Sequence, residues 1–424
     1  MNPSHQLTNH AGTDAKIPLI GLAVLAKMAF LGNDLSPLGA KLLERLSTNP
    51  NDANALMDMS IILHLKGNRE LGLAMQNEAL AIQQIYRLGP DAQPAGTHLL
   101  ALLSPGDLTE NNVVEFLVEG SDIVLDMLYV GPGIPLPERL PEHDVVMVAV
   151  SESDRNRPLL KYIEGLVQSW SQPLLNLPDR IGRLSRENAS LLLTSGSGIV
   201  MPVTARIDRH TMLKVGQGHI ALSRFIPDGD FPFIIRPVDS QKGIGLRKLE
   251  RPLDILEYLS AQLEDDFYIS RYVDYRSPDG LFRKYRVVFI EGKAYVCHMA
   301  ISENWMVHYL SAGMLDSVEK RNEEARFMET FDDDFGLRHQ QAFSFISEKL
   351  GLEYVGIDCG ETVDGDLLIF EVDSSMTIHA MDAIEDFPYK PIQLRKVFNA
   401  FRDLLQHTKE AGLLQARAQN EPAA

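Results

Sequence analysis

The chain has 424 residues, of which 45% are hydrophobic and 23% charged, a composition typical of a globular protein with about three domains. Its formal net charge of −18 argues against a general nucleic-acid-binding or anionic-membrane surface. The two cysteines, Cys297 and Cys359, indicate no disulfide framework, so we expect a cytoplasmic location. The apolar stretch at residues 17–26 is too short to span a bilayer and is interpreted as a buried helix.

The N-terminal region has a helical pattern with a weak internal repeat. Residues 1–15 are polar and predicted to be disordered, and residues 16–88 are predicted to be helical. Leu56, Met59 and Leu63 fall where a tetratricopeptide unit places packing residues, and Leu22, Leu25 and Ala29 occupy the equivalent positions about 34 residues earlier. The segment therefore resembles two degenerate tetratricopeptide units. Two units are few for a free-standing solenoid, so we expect them to pack against the next domain of the chain, and they could also recruit a protein partner.

A small parallel α/β layer is predicted for residues 95–177. It follows a Gly/Pro-rich linker at 89–96 and contains three continuous apolar runs, at residues 97–104, 122–130 and 143–150. Helical stretches near 111–119 and 157–169 follow the first and the third run. Continuous apolar strands that alternate with helices are typical of a parallel sheet covered on both faces.

An α+β domain is predicted for residues 178–407, because its strands come largely as hairpins. Predicted strands occupy residues 199–207, 231–239, 267–275, 284–301 and 354–373, and predicted helices occupy 179–193, 338–350 and 391–405. Residues 408–424 are polar and predicted to form a flexible tail.

The last predicted hairpin, residues 354–373, brings three carboxylates together. Asp364-Gly365 is a strong two-residue turn signal, and such a turn places Asp358 directly opposite Glu371. Asp373 lies two residues along on the same face of the strand. Opposed like charges destabilise a sheet, and a Mg²⁺ or Mn²⁺ ion would reverse this repulsion. A solvated acidic face is the alternative, and a bulge at the turn would undo the alignment.

The order of these elements resembles the ATP-grasp superfamily, and within it the ligases of the glutathione-synthetase type. The resemblance covers about residues 95–406, with the parallel layer in the place of the domain that precedes the ATP-grasp fold. It rests on the segments EVDSS and GID, which resemble the family's metal-binding strands. The resemblance implies that Asp358, Glu371 and Asp373 hold one or two Mg²⁺ ions on ATP, although Asp373 replaces a more usual asparagine.

The same resemblance assigns the nucleotide site. Arg236 and Arg186 stand where the family has phosphate-binding lysines, and both are departures from that pattern. The implied phosphate flap consists of Ser240, Lys242, Gly243 and Gly245. The implied adenine and ribose site consists of Ser270, Arg271, Tyr272, Val273 and Asp274. An ordinary turn and a plain edge strand are the structural alternatives for these two segments.

Catalytic and substrate residues are assigned less directly. By the resemblance, Arg286 faces the transferring phosphoryl group, whose developing charge an arginine stabilises. Asn304, Trp305 and His308 lie in a segment that borders the substrate in the family, although a Trp or a His is more often a packing residue. The remaining substrate candidates come after the metal motif and are Ser374, Ser375, His379 and Asp382. His379 and Asp382 could contact the nucleophile or act as a base.

The expected function is therefore ATP- and Mg²⁺-dependent ligation of a carboxylate to an amine or similar nucleophile through an acyl-phosphate. The substrates could be an amino acid or a peptide. Two other functions stay open: an ATP-grasp kinase that acts on a small molecule, and a non-catalytic ATP-binding scaffold that recruits a protein through its helices. No nucleic-acid or membrane partner is expected, and a homodimer stays open.

Overall fold

The computed structural model describes residues 17–89, 96–227, 229–240 and 243–420. Its helices are α1 Leu22–Phe30, α2 Ser36–Thr48, α3 Ala53–Leu65, α4 Arg69–Ile82, α5 Val114–Val118, α6 Arg157–Val167, α7 Pro178–Ile181, α8 Arg186–Leu193, α9 Arg209–Gly216, α10 Pro252–Ala261, α11 Val318–Thr330, α12 Phe335–Arg338, α13 Gln340–Leu350 and α14 Lys390–Asn420. In these ranges, no helix is both long and apolar enough to cross a lipid bilayer.

The strands form three sheets. Sheet 1 contains β1 Ile85–Leu88, β2 His98–Leu103, β3 Val124–Tyr129, β4 Val145–Val148 and β5 Leu174–Leu175. Sheet 2 contains β7 Thr204–Asp208, β8 Phe233–Pro237, β9 Arg247–Leu249 and β10 Asp266–Arg271. Sheet 3 contains β6 Ile199–Val200, β11 Phe282–Ile290, β12 Lys293–Ser302, β13 Tyr354–Glu361 and β14 Leu367–Asp373.

Two buried acids, Asp58 and Glu115, bind the start of the N-terminal helix α1. Asp58 of α3 accepts hydrogen bonds from the backbone N–H groups of Ile20 and Gly21, at 3.0 Å for the shortest of each. Glu115 of α5 accepts one from Ala23 N at 2.8 Å. Both acids therefore satisfy N–H groups at the start of α1, which have no partner within the helix. These contacts link α1 both to its own helical segment and to the α/β layer.

The helical segment ends earlier than predicted and continues into sheet 1. Residues 85–88, predicted to be helical, form strand β1, which pairs antiparallel with β3. Tyr86 is fully buried, and Arg87 forms a bidentate ion pair with Asp126 at 2.7 and 2.8 Å. The partner strand lies about forty residues away in sequence, so the local pattern could not reveal this pairing. The helices and one face of sheet 1 share a single apolar core.

The stability contributed by Glu115 is expected to depend on pH. Burial, and then the charge of Asp58, raise the pKa of Glu115 to about 7, against the hydrogen bond from Ala23. An acid with a raised pKa in the folded state costs stability as pH rises from its ordinary value through 7. The Glu115→Gln variant should therefore gain about 3 kcal/mol relative to the wild type between pH 4.5 and 8. Urea unfolding of both proteins at these two pH values measures the difference in their free energies of unfolding. A difference that is the same at both pH values would contradict a raised pKa of Glu115.

The predicted parallel strands of sheet 1 are confirmed. β2 lies between β3 and β4 and is parallel to both, in the order β1-β3-β2-β4-β5. The short strand β5 was not predicted and extends the sheet beside β4. Continuous apolar strands such as β2 and β4 are buried on both faces, as the sequence indicated.

Sheets 2 and 3 show that one predicted strand is wrong. The single strand predicted at 199–207 is split into β6, which belongs to sheet 3, and β7, which belongs to sheet 2. Pro202 lies between them and has no N–H to continue a ladder. The predicted helix at 179–193 is likewise interrupted, between α7 and α8. The chain therefore passes from one sheet to the other where a continuous strand was expected.

The β13–β14 hairpin has the predicted pairing of Asp358 with Glu371 but not the predicted turn. Asp358 lies opposite Glu371 as predicted, but the pairs nearer the turn are offset by one residue, with Glu361 opposite Leu367. The turn is wider than two residues, since Thr362 N donates to Asp366 O at 2.9 Å, and Gly365 has φ 84°. A second irregularity between Asp358 and Cys359 restores the register. The two shifts cancel.

The last helix is longer than predicted. α14 runs Lys390–Asn420, so most of the predicted tail is helical. Lys409 holds this extension against sheet 1, where its Nζ forms an ion pair with Asp144 at 3.0 Å and donates to Gly96 O at 3.1 Å. The predicted disordered residues 1–15 and the end of the tail at 421–424 lie outside the described residues.

Candidate functional site

A cleft of about 740 Å³ opens between sheets 2 and 3 and extends to the N-terminal helices. Most of the predicted site residues line it. They are Arg186, Arg236, Ser240, Gly243, Ser270, Arg271, Tyr272, Val273, Arg286, Trp305, His308, Asp358, Glu371, Asp373, Ser375, His379 and Asp382. The structure therefore gathers predicted phosphate, adenine, metal and substrate residues, which are up to about two hundred positions apart in sequence, into one cavity.

Four predicted residues lie away from the cleft wall. Gly245 is held in the flap, where its carbonyl oxygen accepts a hydrogen bond from Tyr258 at 2.8 Å. Asp274 accepts from Arg276 N at 3.1 Å, and Asn304 donates its backbone N–H to Ser302 Oγ at 3.0 Å. Ser374 is buried, and its carbonyl oxygen accepts a hydrogen bond from Asn112 Nδ2 at 2.8 Å. Lys242, also predicted for the flap, lies outside the described residues.

Asp358 is buried at the base of the cleft, where it is paired with two cations. Arg286 lies directly opposite it on β11 and donates from Nε at 2.8 Å and from Nη2 at 3.0 Å. Lys284 Nζ donates to the same carboxylate at 2.9 Å. Burial opposes ionisation of Asp358, but Arg286 and Lys284 outweigh it and hold the pKa of Asp358 well below its ordinary value. Asp358 is therefore an ionised anchor for two cations.

Glu371 and Asp373 form the acidic part of the wall, and Glu371 is also paired with a cation. They occupy one face of β14, and Arg186 of α8 forms an ion pair with Glu371. Burial, and then the charge of Glu371, raise the pKa of Asp373. Asp373 Oδ1 accepts hydrogen bonds from Ser375 N at 2.7 Å and Ser375 Oγ at 2.6 Å. Two neighbouring carboxylates with these properties suit a divalent cation that also takes phosphate oxygens and water.

The predicted three-carboxylate metal site is only partly supported by this geometry. Among the described residues, no group of three or more His, Cys, Asp or Glu side chains is arranged to hold a metal ion. Asp358 lies beside Glu371 as predicted, but its oxygens are engaged by Lys284 and Arg286. The residues that could hold Mg²⁺ are therefore Asp373 and Glu371, of which Glu371 also pairs with Arg186.

Two arginines on opposite sides of the cleft suit an anion. Arg236 projects from β8 and Arg186 from α8, and burial, followed by the charge of Arg186, lowers the pKa of Arg236 to about 10. Arg236 Nε donates to Ser240 Oγ at 3.1 Å, and its Nη2 donates to the Ser240 carbonyl. The guanidinium is thus aimed at the flap. An oligophosphate placed between the two arginines would relieve their repulsion.

The segment after β10 places the ring of Tyr272 at one end of the cleft. Lys248 Nζ lies 4.1 Å from the ring centre of Tyr272, and the Trp305 ring meets Tyr272 edge-on at 5.7 Å. Tyr272 is thus held between strand β9 and the segment after β12. Ser270 and Val273 line the same end of the cleft. Trp305 is both a packing residue and a part of the cleft wall, so the two interpretations of this residue coexist.

His379 and Asp382 lie at the end of the cleft nearest the N-terminal helices. The His379 ring lies 5.6 Å from the ring of Phe30 and 5.9 Å from that of Phe116. Burial lowers the pKa of His379 to about 4, although Asp382 opposes this shift. Asp382 Oδ2 pairs with the buried Lys390 Nζ at 2.9 Å. His379 is therefore neutral at physiological pH, and Asp382 belongs to a buried ion pair.

Sequence reasoning missed several residues of the wall. Lys284 lies two residues before Arg286 on the same face of β11, so strand alternation could have identified it. His298, on β12 opposite Arg286, also lines the cleft, and its Nδ1 has no hydrogen-bond partner among the described residues. Leu22, Ala26 and Phe30 of α1 contribute to the wall as well, and no sequence signal connected that helix to the acids.

No protein-family model matches the sequence, and no curated protein matches it either. Among solved structures, the VanG D-Ala:D-Ser ligase from Enterococcus faecalis aligns with 74% of this chain and 99% of its own, at 12% identity and a TM-score of 0.43. The D-alanine-D-alanine ligase from Coxiella burnetii aligns with 76% of this chain and 98% of its own, at 10% identity and a TM-score of 0.46. A RimK domain ATP-grasp protein from Sphaerobacter thermophilus aligns with 73% and 99%, at 14% identity and a TM-score of 0.40. Similarity at this level assigns no activity to the chain.

Proposed function

We propose that this chain is an ATP- and Mg²⁺-dependent ligase of the ATP-grasp type, which joins a carboxylate to an amine through an acyl-phosphate. The observation that carries the proposal is the division of charge in one cleft. Arg186 and Arg236 repel each other across the cleft, and Glu371, which pairs with Arg186, and Asp373 repel each other on β14. A triphosphate with a divalent cation complements both pairs at once.

Each part of the cleft then has a role in binding ATP. Arg186 and Arg236 would bind phosphate oxygens, for which the planar guanidinium can use two N–H groups at a time. Glu371 and Asp373 would hold Mg²⁺, which when bound neutralises charge on the phosphates. Tyr272 and the backbone at the end of β10 would hold the adenine. The resemblance noted in the sequence supports the same distribution of roles.

Arg286 would act on the transferring phosphoryl group. The carboxylate oxygen of the substrate attacks the γ-phosphorus and ADP leaves; the amine then attacks the acyl carbon, inorganic phosphate leaves, and the amine loses a proton. Arg286 is fixed by two hydrogen bonds to Asp358, so its charge is oriented before the reaction begins. A cation positioned in this way stabilises charge that develops during transfer.

The direct test is ADP release with Mg²⁺ against a panel of amino acids and short peptides, with mass analysis of the products. We expect one inorganic phosphate per ADP and a product smaller by one water than the sum of its two substrates. Arg236→Met should weaken ATP binding by about 10- to 100-fold, the loss of one charge-assisted hydrogen-bonding group. Phosphate retained on the product would instead identify a kinase.

A non-catalytic ATP-binding scaffold is the second candidate, and the ion pairs favour it. Arg186 already pairs with Glu371, and Lys284 and Arg286 already pair with Asp358. A cleft neutralised in this way could bind a nucleotide without recruiting a metal. ATP binding that is equally tight with Mg²⁺ and with a chelator, and no turnover with any acceptor, would support the scaffold. The helices α1–α4 would then be the surface for a protein partner.

A further inference from the structure

The cleft extends past Glu371 and Asp373 towards the N-terminal helices. The compartment at that end lies beyond the residues that would bind the nucleotide. The segment after β14, residues 374–382, leads from Asp373 to this end, and Arg286 Nη1 donates to Thr377 O along the way at 3.3 Å. The walls there come from α1, the end of α3, α5 and this segment. They are apolar: Leu22, Ala26, Phe30, Leu65, Phe116 and Met381.

The apolar wall is assembled from parts that are distant in sequence. Ala23, Phe116 and Met381 form a small buried cluster, and Ala26 packs against it. The rings of Phe30 and Phe116 both lie beside the neutral His379 ring, at 5.6 and 5.9 Å between ring centres. Phe30 is still 38% exposed, so its ring has surface left for a further contact. Helix α1 is therefore a wall of the cleft.

The charged groups near this compartment have partners within the protein. Lys390 is paired with Asp382 at 2.9 Å and lies near the buried Glu324 at 3.8 Å. Arg286 is paired with Asp358. A charged substrate side chain at this end would lose its hydration and find its possible partners engaged, which makes its burial costly. An apolar side chain would bury its surface against Phe30, Phe116 and Met381 at no such cost.

We infer that one of the two substrates carries a large apolar side chain, aliphatic or aromatic, which lies in this compartment against α1. The inference rests on the proposed ligase function, because the compartment adjoins the acids and arginines that would bind the nucleotide. It also gives the N-terminal helices a role in specificity: they close the substrate end of the cleft. Removal of residues 1–88 would open the compartment and also delete β1 from sheet 1, so truncation does not separate these effects.

Calorimetry with the full chain, loaded with Mg²⁺ and a non-hydrolysable ATP analogue, tests the inference. The probes are both enantiomers of phenylalanine and leucine, compared with both enantiomers of aspartate and lysine. We expect the apolar probes to bind at least tenfold more tightly than the charged ones, since a single methylene in an apolar pocket is worth about 10- to 200-fold. Equal or tighter binding of the charged probes, or no binding of the apolar ones, would overturn the inference.

Two variants locate the compartment, and a third is the control. Ala26→Phe fills the space and should weaken phenylalanine binding about tenfold or more, while the ATP analogue binds as before. Phe30→Ala enlarges the space and should shift preference towards bulkier side chains, a change that a merely structural role of α1 would not produce. Val24→Phe adds the same ring to the same helix at a position that is 47% exposed and outside the cleft wall, and should change neither property. Unaltered probe binding in Ala26→Phe would place the side chain elsewhere.

The outcomes separate this inference from the ligase proposal. Apolar probes that bind, together with no ADP release from ATP and any acceptor, would overturn the ligase function and leave the apolar compartment standing. ADP release with a charged amino acid, together with no effect of Ala26→Phe, would support a ligase and overturn the apolar specificity.

Discussion

Replacement of Glu371 by Gln together with Asp373 by Asn is expected to reduce Mg²⁺-dependent ADP release by about a thousandfold or more. A metal ion contributes several kcal/mol to stabilisation of phosphoryl transfer, and each 1.36 kcal/mol is a factor of about ten in rate. Both side chains keep their size and an oxygen atom, but they lose the charge that attracts the ion. The rate is measured by coupled ADP detection over a range of Mg²⁺ concentrations.

The same double variant should keep a stability close to that of the wild type. The two amides remove the repulsion between Glu371 and Asp373, and this gain offsets the loss of the partly exposed ion pair between Arg186 and Glu371. Loss of activity with unchanged stability would therefore distinguish a metal site from a structural role. The matched control is Asp364→Asn, at the tip of the same hairpin, which is exposed and does not line the cleft.

Two results would contradict the metal-site interpretation. Full ADP release by the double variant would mean that the acids form a solvated face. If the activity of the wild type does not depend on the Mg²⁺ concentration, the loss of activity in the double variant would instead reflect an effect on substrate binding. Tight nucleotide binding by the double variant in a chelator would favour the scaffold.

The β13–β14 hairpin shows which structural features local sequence patterns predict and which they do not. Asp364-Gly365 correctly located a turn, and strand alternation correctly placed Glu371 and Asp373 on one face. The predicted two-residue turn was wrong, because the ladder near it is offset by one residue. The pairing of Asp358 with Glu371 was nevertheless correct, since a second irregularity beside Asp358 compensates. Bulges depend on the packing of a whole sheet, so this compensation could not be predicted from the turn.

The sequence predicted which residues line the cleft better than it predicted which side chains these residues contact. Asp358 pairs with Arg286 because β11 and β13 are neighbours, although more than seventy residues separate these two side chains. Which strands adjoin is decided by tertiary packing, for which one sequence gives no register. The same holds for α1: its apolar face was predicted to be buried, but its position beside His379 depends on Asp58 and Glu115, which bind its first N–H groups.

Replacement of Asp358 by Asn is expected to destabilise the protein by about 3–5 kcal/mol, the cost of removing one member of a buried ion pair. Asp358 is 3% exposed and compensates both Lys284 and Arg286. Asparagine has the same shape but leaves two positive charges at the base of the cleft with no counter-charge from this position. The measurement is the shift of the urea midpoint and of the thermal transition, in the absence of nucleotide and Mg²⁺.

The pH dependence of this difference has a definite sign. Because the pKa of Asp358 is held below its ordinary value, its stabilising contribution is present above pH 4 and is lost only as pH falls further. The difference between wild type and Asp358→Asn should therefore be constant from pH 5 to 8 and shrink below about pH 4. This direction is opposite to that expected for Glu115, so the two variants measured together exclude a general effect of pH on unfolding.

A second substitution tests whether Asp358 stabilises the protein as the partner of Lys284 and Arg286 or serves as a metal ligand. Lys284→Met in the Asp358→Asn background removes one of the two stranded cations, and should recover about half of the lost stability if charge pairing is the cause. If Asp358 instead serves mainly as a metal ligand, the single variant should be nearly as stable as the wild type without Mg²⁺. The double variant should then bring no recovery. Because Lys284 and Arg286 occupy the Asp358 oxygens in this structure, we expect the first result, and with it a role for Asp358 in holding Arg286 in position for phosphoryl transfer.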